Sequence, residues 1–374
     1  MAGIYIHIPF CKKACHYCNF HFSTSLKGKN DFVTALLKET ELQKEYLAGE
    51  SVETIYLGGG TPSLLNEQEL SAIFEKLFQT FPISHDAEIT LEANPDDISI
   101  NSVKYWNKTG INRLSIGVQS FFENDLVWMN RVHTASQAEQ SIKIAQDNLI
   151  ENISIDLIYG NPTLTDQHWS ENVERAISLH VPHLSCYALT VEPNTALSTM
   201  IKQKKVENVH SEDQARQFVF LMQWMENAGY EHYEISNFAI PGKRSRHNSS
   251  YWQGKKYLGL GPSAHSYNGI SRQWNVSNNL AYVQSLVRNE LPFEMEILSE
   301  IQIMNEYIMT SLRTTEGIDL DHLSKKFNPS ARQILETKSG KYINDLKLKR
   351  ERSRIILTRE GKLFADGIAA DLFF

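Results

Sequence analysis

Along the first half of the chain, short apolar runs alternate with longer segments in which apolar residues recur every three or four positions. The short runs are "IYIHI" (4–8), "TIYLG" (54–58), "EITLEAN" (88–94), "RLSIGVQ" (113–119), "ISIDLIYG" (153–160) and "HLSCYALTV" (183–191). Each is rich in β-branched and aromatic residues and predicts a strand. Between them, 31–47, 66–80, 135–148 and 166–180 carry the helical period. Strand, helix and strand at intervals of roughly 25 to 45 residues predict βαβ units and a parallel sheet.

Polar residues near the strand ends narrow the choice of sheet. Cysteines follow the first run and "GGGTP" follows the second; the third ends in Glu92 and Asn94, the fourth in Gln119, and the fifth carries Asp156. In a barrel every C-terminal strand end converges on one mouth, whereas in an open sheet only those at the switch point do. The predicted fold is therefore α/β, a partial (β/α)6 TIM-like barrel over 1–240. Past residue 200 the alternation loosens into a long helix near 210–228. A connecting segment over 241–289, rich in aromatics, Gly and His, comes next. From about 290 the pattern turns helical, and the closing "RSRIILTREGKLFADGIAADLFF" predicts strand, turn, strand and helix. That ending is expected to belong to a small C-terminal α/β winged-helix-like domain over 290–374.

Composition adds exclusions. At 374 residues the chain has room for about two to three domains. Its 41% hydrophobic and 22% charged residues are ordinary for a soluble globular protein. A net charge of −7 argues against a broad nucleic-acid surface, so no nucleic-acid partner is expected. No apolar run approaches the roughly 20 residues of a membrane span. "MAGIYIHIPF" has neither a basic leader nor a cleavage site and reads as the first strand. Four cysteines with three clustered are not a disulfide framework, and the expected setting is cytoplasmic, with the thiols reduced.

Those three thiols, Cys11, Cys15 and Cys18, leave several readings open. At i, i+4 and i+7 they would share one face of a helix as a buried stripe. With His7 or His16 they would make a structural zinc site. As three thiolates they would hold a 4Fe–4S cluster with one iron lacking a protein ligand. Cys186, on the sixth run, reads as a buried, inert thiol. "YLGGGTPSLL" (56–65) reads either as a flexible turn or as strand-end glycines that let a ligand approach the backbone. It is not the GxGxxG of a dinucleotide fold.

Taken together, CxxxCxxC after the first strand of a βα barrel and a glycine triplet after the second resemble the radical S-adenosylmethionine superfamily, over the N-terminal two-thirds of the chain. The resemblance implies a 4Fe–4S cluster on Cys11, Cys15 and Cys18, with S-adenosyl-L-methionine completing the open iron through its amino and carboxylate groups. It also implies one-electron cleavage of the sulfonium to methionine and a 5′-deoxyadenosyl radical. Gly59, Gly60 and Thr61 would then receive the amino group. "TLEANPDD" (90–97), "RLSIGVQSF" (113–121) with "NRVH" (130–133), and "SIDLIYGNP" (154–162) resemble a narrower branch, the oxygen-independent coproporphyrinogen III dehydrogenases and their relatives. That likeness sets Glu92, Gln119, Arg131 and Asp156 against the ribose, carboxylate or adenine side of the nucleoside, and Tyr5 and Tyr17 beside cluster and adenine. Taken singly, each also reads as an ordinary cap, ion pair or surface charge.

Phe20 divides the branch. The dehydrogenases resemble CxxxCxxCxC, whereas this chain has CxxxCxxCxF, which resembles the HemW-type haem chaperones. "HNSSYW" (247–252) is similar to their HNxxYW motif and implies that His247 holds haem, with Asn248, Tyr251 and Trp252 beside it. A neutral imidazole can ligate haem iron, and flat aromatic rings suit a porphyrin face. The plain alternative is a surface turn whose aromatics pack on the barrel. His265 is a second candidate for iron or for a site wall. The expected function is binding haem and delivering it to acceptor proteins. The alternative is radical oxidative decarboxylation of coproporphyrinogen III to protoporphyrinogen IX, which would call for the cysteine that Phe20 replaces. The resemblance further implies a homodimer and peripheral membrane association.

Overall fold

The computed structural model describes residues 2–374. Six strands, β1 (Ala2–Ile8), β2 (Val52–Gly59), β3 (Ile83–Ala93), β4 (Arg113–Gln119), β5 (Ile153–Tyr159) and β6 (His183–Ala188), lie side by side in that order. All five neighbouring pairs are parallel. Helices Lys29–Leu42, Glu67–Thr80, Ile100–Lys108, Ala135–Asp147 and Asp166–Ser178 provide the returns. Their starts follow from local chemistry. At Glu67–Thr80, for example, the Asn66 side chain accepts the Glu69 N–H while the Glu69 carboxylate accepts that of Asn66.

The strands have two different faces. In β1, Ile4, Ile6 and Ile8 are fully buried in the apolar layer with helix residues Phe32 and Leu36, while Tyr5 and His7 point the other way. β5 repeats the pattern: Ile153, Ile155 and Leu157 join that layer, and Ser154 and Asp156 face the concave side. Burying each aliphatic side chain contributes about 1.5–3 kcal/mol, which is what holds sheet to helices. The concave face is thereby left to polar residues.

The barrel is partial because other strands occupy both of its edges. β7 (Glu231–Glu234) and β8 (Asn237–Ala239) form an antiparallel pair, and β8 lies antiparallel on β6. On the far side β9 (Lys256–Leu260) runs parallel to β1. Antiparallel β10 (His265–Tyr267), β11 (Ser271–Asn275) and β12 (Phe293–Ile297) extend the sheet beyond it. The range 241–289 therefore supplies helix Arg246–Trp252 and three strands of the main sheet, and a strand precedes the helix expected from 290.

The C-terminal region runs helix Glu300–Leu312, β13 (Ile318–Asp319), helices Leu320–Lys326 and Pro329–Asn344, hairpin β14 (Leu348–Glu351) with β15 (Arg354–Leu357), and helix Ala365–Leu372. This is the winged-helix-like order, closed over its own apolar core that includes Ile308, Leu312, Leu335 and Ile355. Among the described residues no helix is long and apolar enough to cross a membrane.

Candidate functional site at the barrel mouth

The helical reading of the cysteine run does not hold. After β1, residues 9–23 form an irregular loop, because Pro9 ends the strand and the loop's backbone groups pair elsewhere. Cys11 N–H donates to Ser23 O at 3.0 Å, His16 N–H to Met129 O at 3.1 Å, and Leu197 N–H to His16 O at 2.8 Å. Asn130 Nδ2 donates to Ala14 O at 2.7 Å. The loop is thus tied to segments that follow β4 and β6, across the mouth. All three thiols are half-buried and line one cavity of about 400 Å³.

The glycines after β2 bring a second loop against the first. A Cβ on Gly60 would lie 2.6 Å from Phe10 O and 2.7 Å from Ile8 O, and Gly59 has φ +101° with the His7 ring in the way of any side chain. Thr61 Oγ1 donates to Cys11 Sγ at 3.4 Å. From β3, Glu92 accepts the Tyr56 hydroxyl at 2.8 Å and the Gly59 N–H at 3.2 Å. Burial chiefly pushes the Glu92 carboxyl up to about 7, with Asp156 adding to the rise, and burial likewise raises Asp156 to about 6.

Of the two cations lining the mouth, Lys13 and Arg131, Arg131 is the more buried. Its Nη2 donates to Asn94 Oδ1 at 2.7 Å and to Gly117 O at 2.8 Å, and its Nη1 to Cys15 Sγ at 3.3 Å. Its Nε is buried without a partner. Gly117 keeps this corner open, since a Cβ there would meet Gln119 Nε2 at 3.0 Å and Arg131 Nη2 at 3.1 Å. Burial raises Cys11 to about 11 and also raises Cys18. Cys11 and Cys18 stay protonated unless a cationic centre binds them. Among the described residues no three His, Cys, Asp or Glu form a set for a single metal ion. Thiols spread around a cavity suit a cluster that takes one thiolate at each of several irons. Three soft donors, an orphaned guanidinium nitrogen and glycine-opened corners all fit such a cluster with a polar zwitterion beside it.

Of the residues expected here, Cys11, Cys15, Cys18, Tyr17, Gly59, Gly60, Thr61, Glu92, Gln119, Arg131 and Asp156 all line this cavity. Tyr5 does not. It lies one layer deeper, stacked on Tyr56 at 6.2 Å and 3.2 Å from His7 Nδ1. Cys186 alternates with inward-facing Ser185 and Tyr187, so it sits in the helix-facing apolar layer, 1% exposed. Sequence reasoning named Asn94 without giving it a place; its amide joins Thr61 to Arg131.

His247 lies at the opposite end of the barrel and lines neither this cavity nor the one outside helix Arg246–Trp252. Its ring is buried, with Thr54 Oγ1 2.8 Å from Nδ1 and the Tyr251 hydroxyl 2.9 Å from Nε2, and it stacks on Tyr56 at 5.0 Å. Both nitrogens that could take iron are therefore engaged. Asn248 lines neither cavity, whereas Tyr251 and Trp252 turn outward to a second one. His265 is exposed beside Trp274.

Three thiols, a glycine-lined loop and inward carboxylates at the C-terminal mouth of a six-stranded parallel partial barrel define a protein of the radical S-adenosylmethionine class. A model described as the radical SAM superfamily matches residues 5–176, and one described as the HemN C-terminal domain matches 298–364. The heme chaperone HemW of Bacillus subtilis (strain 168) is 32% identical, with 98% of each chain covered. That of Escherichia coli (strain K12) is 37% identical over 70% of this chain and 69% of its own. The radical S-adenosyl methionine domain-containing protein 1, mitochondrial, of Danio rerio is 31% identical over 98% of this chain and 86% of its own. The solved structure of coproporphyrinogen III oxidase (HemN) from Escherichia coli superposes with a TM-score of 0.86 at 22% identity, covering 100% of this chain and 90% of that one, and shares the fold. This chain belongs to the HemW family of the radical SAM superfamily.

Proposed function

We propose that the protein binds haem and passes it to acceptor proteins while keeping a 4Fe–4S and S-adenosylmethionine site at the barrel mouth. The observation that carries this reading is the likeness to the heme chaperone HemW, which extends over 98% of both chains. Cys11, Cys15 and Cys18 would hold the cluster, leaving one iron for the amino and carboxylate groups of S-adenosylmethionine. When bound, the reduced cluster supplies one electron to the sulfonium. The chain's own residues bind and orient. The Gly59–Thr61 loop and Glu92 would receive the amino group, Arg131 would set a cation beside the carboxylate, and Asp156, Gln119 and Tyr17 would wall the nucleoside side. Phe20, 67% exposed at the rim, supplies no thiolate where a further cysteine would add one.

The test is a haemin titration of anaerobically reconstituted protein, followed at the Soret band, with coproporphyrinogen III turnover assayed in parallel. A saturable band near about one haem per chain without turnover is expected. Turnover without a saturable band would overturn the reading in favour of the decarboxylase.

A further inference from the structure

A second cavity of about 540 Å³, on the outer side of helix Arg246–Trp252, lies between the main sheet and the C-terminal region. Its size falls within the range of small-molecule and cofactor sites. One wall is aromatic: Tyr251 and Trp252 from that helix and Tyr257 from β9, with Tyr251 and Tyr257 edge to face at 4.7 Å. The C-terminal region supplies the facing wall, with Tyr307, His322 and Lys326. His322 and Lys326 are one helical turn apart on Leu320–Lys326 and so project on the same side. The His322 ring packs on Tyr307 with centroids 4.8 Å apart, and neither ring nitrogen has a hydrogen-bond partner among the described residues. Lys326 has no carboxylate partner there; its ammonium sits 5.4 Å over the Phe327 ring. Arg272, also lining the cavity, is already paired with Glu306.

We infer that this second cavity is the seat of the haem, with His322 as the protein ligand to iron and Lys326 as the partner of a propionate. The inference rests on the proposed haem-binding function and places the site at residues outside the HNxxYW run. A planar, apolar macrocycle with carboxylate tails needs flat aromatic walls, an accessible imidazole nitrogen and an unpaired cation, and the cavity presents all three. His247 is then a positioning residue. Its buried ring pins the helix to Thr54, and Glu88 accepts the N–H groups of Arg246 at 3.1 Å and His247 at 3.0 Å, so the far end of the helix holds Tyr251 and Trp252 against the cavity.

The experiment is haemin titration of the full chain as wild type, His322→Ala, Lys326→Ala and His247→Gln, with resonance Raman to read the iron's ligation. His322 is exposed, so its replacement leaves the fold intact. His322→Ala is expected to weaken binding by about tenfold or more and to remove the histidine–iron signature. Lys326→Ala should weaken it by about fivefold or less, and less still at high salt. His247→Gln should keep histidine ligation. Unchanged affinity and ligation in His322→Ala, with loss of histidine ligation in His247→Gln, would overturn the inference while leaving haem binding standing. If the wild type shows no saturable band, the proposed function falls and this site falls with it.

Discussion

The two ends of the barrel are built from the same alternating strands, yet their polar residues do opposite things. At the floor most of the inward groups pair with one another, and only the Arg113 Nε among those named here keeps no hydrogen-bond partner. Arg113, 1% exposed, donates to Ser154 Oγ and lies 3.9 Å from Glu88. His183 is shared between Ser154 and the Tyr233 hydroxyl, and His247 between Thr54 and Tyr251. At the mouth the groups are under-paired: three half-buried thiols and two carboxyls that burial holds up in the direction of protonation. A buried polar set that closes largely on itself is structure, and one that gathers unpaired thiols and raised carboxyls around a cavity is shaped for something else. Position on the strand decides which. Strand starts are covered by helix Arg246–Trp252, whereas strand ends open on loops.

The largest expected effect is at the mouth. Replacing Cys11, Cys15 or Cys18 with Ala should abolish the cluster's absorbance after anaerobic reconstitution. The stability of the cluster-free chain should change by less than about 1 kcal/mol, because the thiols are half-buried and carry no packing load. Cys186→Ala should do the reverse, keeping the cluster and losing about 1–2 kcal/mol of stability from a buried site. Iron and sulfide analysis beside urea unfolding reads both. A full cluster in any of the first three variants, or its loss in the last, would erase the distinction between the inward and helix-facing thiols.

A smaller but still substantial effect is expected at the floor. Arg113→Met leaves Glu88 buried without its guanidinium, which costs about 3–5 kcal/mol when one partner of a buried pair is removed. Cluster content in whatever fraction folds should match wild type, since Arg113 lines no part of the mouth cavity. Urea unfolding measures the first outcome and iron analysis of the folded fraction the second. A loss below about 1 kcal/mol would mean that the floor does not work as a closed network.

The two ends were unequally legible in the sequence. The strands were readable from period-two runs. The mouth was readable because its residues follow strand ends within short stretches: cysteines after β1, glycines after β2, Glu92 and Gln119 at the ends of β3 and β4. The floor was not. Glu88, Arg113, Ser154 and His183 each look like an unremarkable polar residue opening a strand, and their partners return from residues 233–251 only once the chain has folded. The enclosure of His247 was hidden for that reason. A histidine beside two aromatics looks like a ligand site, but β9 draws its helix under the barrel and turns the imidazole inward. The second cavity was equally hidden, since its walls meet across more than one fold unit and share no local spacing.

The smallest predicted effect tests whether the His247 imidazole is as fully enclosed as the floor requires. Burial lowers it from 6.5 to about 3, with Arg113 adding to the depression. The unfolded chain therefore takes up a proton near pH 6.5 that the folded protein refuses until about pH 3. The stability contributed is present above 6.5 and is lost as the pH falls towards 3. Glu92, raised to about 7, works in the opposite sense, its contribution being lost as the pH rises through 7, so the whole protein's profile mixes the two. Comparing wild type with His247→Gln isolates the histidine. Between about pH 6.5 and 5 the wild type should lose up to about 2 kcal/mol more than the variant in urea unfolding. Parallel profiles would mean that the ring titrates as it does in water, and the floor would then be as open as the mouth.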